Sequence, residues 1–352
     1  MGNQKLTKIN MGSFDLIKGI AIISVVFSHI IYHYTVEELV LFTPLFVIEK
    51  LVTHGLMPMF FIISGYGMKK KDPLKVLKQT FSQLIIPYLC AAIVAVALYI
   101  VFNWRINSTH DTVVFVAEKL QQILIFGHIV GPLWYFIALF WAENILNFIL
   151  KIKNEFWQVV AVTASIAMGY VLAHFGLFNH NVVLVQGLGA VGFCYLGYML
   201  KKKNLIEKLV RSTWIYIVLV PIWLIQVFGV WKLNINFLSF EMAKGEYSVW
   251  AYLAAGCAGL LFVIFGILLN KIDWSGLDSI RSLGAQTYWV LIAHTVDYNS
   301  IPWYHLRLES KSVYLAFLID AGLRVVFISM GCNLIKRIMQ YRYMKKRMIK
   351  NV

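Results

Sequence analysis

Ten long apolar segments divide the chain, and short polar stretches separate them. Nine of these segments have 17 to 23 residues, close to the roughly 20 that an α-helix needs to cross the hydrocarbon core of a bilayer, and the ninth segment is shorter. We therefore predict an all-α, polytopic membrane protein with ten transmembrane helices. The predicted spans are Phe14–Tyr32, Leu51–Met68, Leu84–Phe102, Pro132–Leu150, Phe156–Phe175, Val182–Leu200, Trp214–Val230, Val249–Leu269, Leu283–Thr295 and Val313–Ile335.

The basic residues fall mainly in alternate gaps between these segments. Of the 32 lysines and arginines, 23 lie in the N-terminal segment, in the gaps after the even-numbered spans and in the C-terminal segment, whereas seven lie in the other gaps. In membrane proteins the cytoplasmic loops carry the excess of Lys and Arg. The alternation therefore predicts that both termini lie in the cytoplasm.

The composition favours a single integral-membrane domain that covers residues 1–352. The chain is 60% hydrophobic and 14% charged, with a mean hydropathy of +0.71 and no repeat or linker. Its formal net charge of +15 suits contact with anionic lipid headgroups. The sequence has no soluble basic domain that would bind nucleic acid, so we expect a lipid bilayer as partner. The outer connection Asn103–Gly131 has apolar residues at helical spacing and predicts an amphipathic surface helix.

The first predicted span contains ionisable residues that a bilayer accepts poorly. Such a residue costs about 2.5 kcal/mol or more near the centre of a spanning helix and often marks a function. Lys18 and His29 are eleven residues apart, which places them on one helix face, about 16 Å apart along the axis. Asp15 precedes Lys18 by three residues and is close enough to pair with it. We interpret this face as a cation for an anionic ligand, followed by a base deeper in the membrane.

A structural interpretation of the same residues stays open. Lys18 would then extend to the cytoplasmic headgroups, and His29 would make a packing hydrogen bond. We predict no metal site, because the histidine pair nearest to ligand spacing, His29 and His33, lies close to the water boundary. Asp320 and Arg324 are four residues apart in the tenth span and are expected to neutralise each other.

Five segments, in order along the chain, resemble motifs of the acyltransferase-3 family. The first span of that family carries an arginine, ten intervening residues and a histidine. Lys18 and His29 keep this spacing, with lysine in place of arginine. The form Asp-x-x-Lys-Gly, which begins at Asp15, is similar to the branch of fucose 4-O-acetylase-like proteins. The other matching segments are Met57–Tyr66, Leu84–Tyr88, Gly131–Phe136 and Leu283–His294.

The resemblance implies a bacterial membrane enzyme that O-acylates glycans or related envelope molecules. Its co-substrate would be acyl-CoA, with acetyl-CoA as the first expectation, and no cofactor would be tightly bound. The acceptor would be a glycan or a lipid-linked sugar, and the protein would be a multi-pass protein of the cytoplasmic membrane. Where relatives often have arginines before the third-span proline, this chain keeps only Lys75 and Lys78.

This resemblance suggests a mechanism for the first span. Acyl transfer to a hydroxyl needs a base and stabilisation of the oxyanion, and imidazole titrates near physiological pH. We predict that acyl-CoA docks at the cytoplasmic face with its phosphates near Lys18, Lys75 and Lys78, and with its thioester directed toward His29. His29 would deprotonate the acceptor or carry the acyl group itself, and the sequence leaves both routes open.

Four further residues are candidates for orienting groups or for the acceptor side of the site. His54 would contact the acceptor or lie at the membrane interface. Trp134 would contact the acceptor or belong to the aromatic belt. Glu143 would orient a histidine or bind the acceptor, because a carboxylate within a span needs a partner. His294 matches the family pattern but is also suited to a helix-packing hydrogen bond.

A transporter or flippase for a polysaccharide intermediate is the main alternative function. Charged residues within spans also line transport paths. However, the sequence has no inverted repeat and no matched pair of broken spans, which secondary transporters often have. A membrane anchor leaves Lys18 and His29 unexplained. We therefore expect an acyltransferase, and the sequence predicts no particular oligomeric state.

Overall fold

The computed structural model describes residues 11–31, 43–103, 113–114, 116–118, 131–175, 183–242, 246–301, 303 and 313–350. These residues are almost entirely helical, which confirms the predicted all-α class. The helices are α1 (Met11–Ile31), α2 (Thr43–Gly67), α3 (Pro73–Thr80), α4 (Ile86–Asn103), α5 (Trp134–Ile149), α6 (Glu155–His174), α7 (Val183–Lys202), α8 (Leu205–Arg211), α9 (Thr213–Leu233), α10 (Val249–Leu269), α11 (Gly276–Ala285), α12 (Thr287–Ser300) and α13 (Val313–Lys350). A short hairpin pairs β1 (Phe240–Glu241) with β2 (Glu246–Tyr247) in antiparallel orientation. Most of the predicted amphipathic helix lies outside the described residues.

Seven of the described helical segments are long and apolar enough to cross a membrane. They comprise α1, α2, the continuous segment from α3 to α4, α6, α9, α10 and α13. Helix α5 is apolar but shorter, and α12 has only 14 residues. Each predicted span overlaps a described helix, whereas the number of ten crossings and the cytoplasmic position of the termini stay predictions.

The third predicted span begins earlier than expected. Helices α3 and α4 are joined by a π-helical turn, Phe81–Ile85, so that the helical segment begins at Pro73. Asp72 caps this segment, because its side chain accepts hydrogen bonds from the first turn, as N-cap residues do. Lys75 and Lys78 therefore lie on a helix, although the sequence pattern placed them in a connecting loop.

Pro87 explains why the π-helical turn makes a contact outside its own helix. In a regular α-helix the carbonyl of Gln83 would accept a hydrogen bond from residue 87, but proline has no N–H. The hydroxyl of Tyr288, on α12, donates to this carbonyl instead. The ring of Tyr288 also stacks on Phe136, with centroids 4.9 Å apart. These two contacts hold the end of α12 that carries Tyr288 against the π-helical turn and α5.

The predicted start of the ninth span, at Leu283, is wrong. Leu283 and Gly284 belong to α11, and the chain turns at Gln286 before α12 begins. The Thr287 hydroxyl donates to the Gly284 carbonyl at 2.7 Å and stabilises the turn. A break of one residue leaves the apolar pattern almost unchanged, which is why hydropathy did not indicate it.

The position of α12 brings distant parts of the chain together. It packs against α4, α13 and α1. Elsewhere α2 and α7 approach closely through small residues, as helices in membranes do: a Cβ atom on Gly65 would lie only 1.9 Å from the Cys194 carbonyl oxygen. The contact between α12 and α1 forms the centre of the site described next.

Candidate active site

The histidine of α1 meets a histidine of α12. Nδ1 of His29 lies 2.8 Å from Nε2 of His294, and the two rings are nearly parallel, with centroids 5.1 Å apart. His294 is fully buried, whereas His29 is half-buried. The distance is that of a hydrogen bond between ring nitrogens. The structure thus brings together two residues that the sequence analysis had singled out separately.

A buried carboxylate lies on the other side of His294. Asp297 follows it by one turn of α12, and its Oδ2 lies 3.6 Å from Nδ1 of His294, with both side chains fully buried. The indole Nε1 of Trp303 donates a hydrogen bond to Oδ1 of Asp297 at 2.9 Å. His29, His294 and Asp297 therefore form an ordered series, which we call the histidine series, and Trp303 holds its carboxylate end.

This order assigns a role to each ring nitrogen. A carboxylate beside Nδ1 of His294 favours a proton on that nitrogen. Nε2 of His294 then accepts from Nδ1–H of His29, and Nε2 of His29 carries the lone pair. A proton taken up there would be stabilised through His294 toward Asp297. The arrangement can therefore act as a base at Nε2 of His29.

Tyr298 lies against both imidazoles. Its ring centroid is 5.1 Å from that of His29 and 6.2 Å from that of His294. About a third of Tyr298 is exposed, 36% of its surface. Since Tyr298 is one residue beyond Asp297, α12 supplies both the carboxylate and an aromatic wall of the site.

A second buried carboxylate, that of Glu49 on α2, contacts Ser28, which directly precedes His29 on α1. Ser28 donates to Oε1 of Glu49 at 3.1 Å, and Thr53 donates to the same oxygen at 2.8 Å. Lys50 forms an ion pair with Oε2 of Glu49 at 3.0 Å. Glu49 is 5% exposed, so this network fixes the last turn of α1 against α2.

Lys18 lies near the start of α1, paired as predicted. Its Nζ is 2.7 Å from Oδ1 of Asp15, and both side chains keep some exposure. The backbones of α1 and α11 touch here: a Cβ atom on Gly19 would lie 2.2 Å from the Ile280 carbonyl oxygen, and one on Gly284 would lie 1.6 Å from that of Asp15. Two motif segments of the sequence analysis thus pack against each other.

Lys75 and Lys78 are exposed on α3. Helix α3 packs on α5, where Asn144 donates to the Thr80 hydroxyl at 2.9 Å. Asn147 contacts the backbone N–H of Lys71 at 3.1 Å. In the described part of the chain, no contact brings Lys75 or Lys78 to Lys18, and a shared donor site stays a prediction.

His54, Trp134 and Glu143 lie at other places in the fold. His54 is buried on α2 and interacts electrostatically with the backbone of Phe240 in the hairpin. Trp134 begins α5, and Glu143, further along α5, interacts electrostatically with Lys71. None of the described contacts of these three side chains reaches the histidine series, and their roles stay predictions.

Sequence reasoning missed five residues around the two histidines. Asp297 offered a signal, because it follows His294 by three residues and shares its helix face. Glu49 lies just before the predicted second span, so the apolar pattern places it in a loop. The contacts of Ser28 with Glu49 and of Tyr298 with His29 cross between distant elements, so spacing along the chain could not indicate them. The five residues are Ser28, Glu49, Asp297, Tyr298 and Trp303.

Comparison with known proteins identifies the family of this chain. A family model described as an acyltransferase domain, acyltransferase 3, matches residues 11–308. Comparisons with curated proteins and with solved structures gave no match. The matched residues include the motif segments and the whole histidine series, while the fucose 4-O-acetylase-like branch stays a prediction. The chain therefore belongs to the acyltransferase-3 family and is a membrane acyltransferase.

Proposed function

We propose that this enzyme moves an acyl group, with acetyl as the first candidate, from acyl-CoA to a hydroxyl of a cell-envelope glycan or a lipid-linked sugar. The observation that carries the proposal is the histidine series of His29, His294 and Asp297. A histidine base that is linked through a second histidine to a buried carboxylate suits the activation of an alcohol. Family membership favours this function over the export of a polysaccharide intermediate.

The reaction begins with the acceptor hydroxyl beside His29. Nε2 of His29 takes the O–H proton as the oxygen attacks the thioester carbon, and a C–O bond forms while the C–S bond breaks. The imidazolium then returns its proton to the CoA thiolate, so that the products are an ester and free CoA. His294 and Asp297 stabilise the transient positive charge through the contacts at 2.8 and 3.6 Å.

The hydrogen bond at Nδ1 favours a base over an acyl carrier. It stabilises the protonated form of His29, and protonation is what a base undergoes during the reaction. On the donor side, we assign the CoA phosphates to the end of the bundle that carries Lys18, with Lys75 and Lys78 on the exposed face of α3. In this proposal protein side chains carry out the reaction without a tightly bound cofactor, and acyl-CoA is the co-substrate.

The test uses membranes from cells that express the full chain, because such membranes supply the native acceptor. Acetyl-CoA with a labelled acetyl group is added, and alkali-labile label in the extracted membrane material is counted as ester. We expect His29→Ala to lower incorporation by about 100-fold or more, in line with the loss of a general base.

His174→Ala is the matched control. His174 ends α6, is exposed, and stacks on Tyr170 with ring centroids 5.9 Å apart. It should incorporate label at the wild-type rate. If the His29→Ala protein is folded in these membranes and still incorporates label at the wild-type rate, the proposed mechanism is excluded.

A further inference from the structure

A buried arginine on α13 has hydrogen-bond donors that no described residue uses. Arg324 has no exposed surface, and its Nε donates to Oδ1 of Asp320 at 2.8 Å, which confirms the predicted pair. Nη1 and Nη2 have no hydrogen-bond partner in the described part of the chain. Leaving a buried donor without an acceptor destabilises the folded protein, and more so when the donor belongs to a charged group. Such a side chain within a candidate span therefore indicates a ligand.

Arg324 lies beside the histidine series. Its guanidinium carbon is 5.1 Å from the centroid of the Trp303 ring, and Trp303 donates to Asp297. Two contacts thus separate Arg324 from the carboxylate end of the series. The family match ends at residue 308, so Arg324 lies outside the matched residues.

The charges around Arg324 indicate which ligand its donors suit. A guanidinium offers two Nη groups side by side in a rigid plane, which fits two neighbouring oxygens. Asp320 already neutralises the positive charge, and a second buried carboxylate, Asp297, lies two contacts away through Trp303. An anionic ligand at Nη1 and Nη2 would lie beside the carboxylate of Asp320. Two uncharged oxygens would accept hydrogen bonds from Nη1 and Nη2 without repulsion from a carboxylate. Adjacent oxygens of a sugar ring have the spacing that suits these two donors.

We propose that Arg324 binds the acceptor, with Nη1 and Nη2 donating to two oxygens of a neutral sugar unit beyond the carboxylate end of the histidine series, while the reacting hydroxyl, on another unit of the acceptor, faces Nε2 of His29. This inference rests on the proposed function, because it names the acceptor side of the same site. Asp320 holds the guanidinium plane in position through Nε, and Trp303 covers one face of that plane.

The experiment uses the purified full chain in liposomes with labelled acetyl-CoA. Graded amounts of a solvent extract of envelope lipids and glycans from the source cell supply the acceptor. Transfer is measured for wild type and for Arg324→Lys, which keeps the charge and the Asp320 pair but loses the two parallel donors. We expect the amount of extract that gives half-maximal transfer to rise about tenfold, with the apparent KM for acetyl-CoA unchanged.

A second variant and a matched control separate binding from stability. The double variant Asp320→Asn, Arg324→Met removes both charges and keeps the volume, and it should show the same rise. Arg281→Lys is the control, because Arg281 uses its donors within the protein, on Asn270 at 2.9 Å and on Asp278. It should behave as wild type.

Each outcome decides the matter. A rise of threefold or more in the half-maximal amount for both Arg324 variants supports the inference. A smaller rise overturns it, including the case in which only the maximal rate falls, which would mean that Arg324 merely positions Trp303 and Asp297. If the wild type transfers nothing, or if His29→Ala transfers normally, the proposed function itself fails, and the inference with it.

Discussion

His294 gains its importance from two neighbours. One ring nitrogen contacts His29 at 2.8 Å and the other lies 3.6 Å from Asp297. If His294 served only to pack helices, a carboxylate beside it would be unnecessary. A buried carboxylate is also unfavourable, because burying an ionised group requires compensation. The structure therefore supports a polar network that runs from the buried Asp297 through His294 to the partly exposed His29.

Asp297 and His294 are expected to act together through His29. We expect Asp297→Asn, which keeps the shape and the capacity to accept from Trp303, to lower the acyl-transfer rate by about 10–100-fold. His294→Gln should lower the rate by about 100-fold. Because both residues act through His29, the double variant should be little slower than His294→Gln alone.

The measurement is the initial rate of labelled ester formation for the two single variants and the double variant. Asp273→Asn is a suitable control, because Asp273 is exposed in the connection between α10 and α11, and it should leave the rate unchanged. Fully additive losses in the double variant would show that Asp297 and His294 act independently.

The contact between α1 and α11 depends on glycine. Gly19 and Gly284 let the two backbones touch, and this contact lies next to the Asp15–Lys18 ion pair. In membranes such close approach replaces the hydrophobic driving force that water supplies elsewhere. The family motifs at these positions therefore describe helix packing as well as chemistry.

We predict that Gly284→Ala separates α1 from α11. The added Cβ would lie 1.6 Å from the Asp15 carbonyl oxygen, so the backbones must move, at a cost of about 1–3 kcal/mol in the free energy of unfolding. The measurement is the thermal midpoint in detergent, together with the apparent KM for acetyl-CoA, which should rise if Lys18 moves.

Gly322→Ala provides the comparison within another helix. A Cβ atom there would meet no described atom within 4 Å, and alanine is the better helix former. Its thermal midpoint should equal or exceed that of the wild type. An equal loss in both variants would attribute the effect to helix propensity and not to the α1–α11 contact.

The whole molecule joins its first and last thirds at the site. Helices α1 and α2 supply His29 and Glu49, while α12 and α13 supply the carboxylate end and Arg324. The contacts of α12 with α1, α4 and α13 pack these helices together. A site formed by such distant segments needs the complete domain.

The orientation of this unit is a prediction that fusion reporters can check. Alkaline phosphatase fused after Asn234, at the end of α9, should be active, because this gap is poor in basic residues and is expected outside. The same enzyme fused after Lys203, in a basic gap, should be inactive, and a green fluorescent reporter after Val352 should fluoresce. Phosphatase activity at Lys203 would show that the assigned direction is wrong.

Local pattern carried much of the information about this protein. The spacing of apolar residues predicted the all-α class and the place of most helices, because hydropathy is a property of consecutive residues. The eleven-residue spacing put Lys18 and His29 on one face of α1, and the motif order indicated the family. The Asp15–Lys18 and Asp320–Arg324 pairs followed from helix geometry alone.

Only the tertiary structure decided which of these residues meet. His29 and His294 are 265 positions apart, and nothing in their separate surroundings predicts a contact of 2.8 Å. Such contacts depend on how whole helices pack, and this packing is set by many small contributions along every interface. The same reason explains why spacing along the chain could not rank the acceptor-side candidates His54, Trp134 and Glu143, whose described contacts do not reach the histidine series.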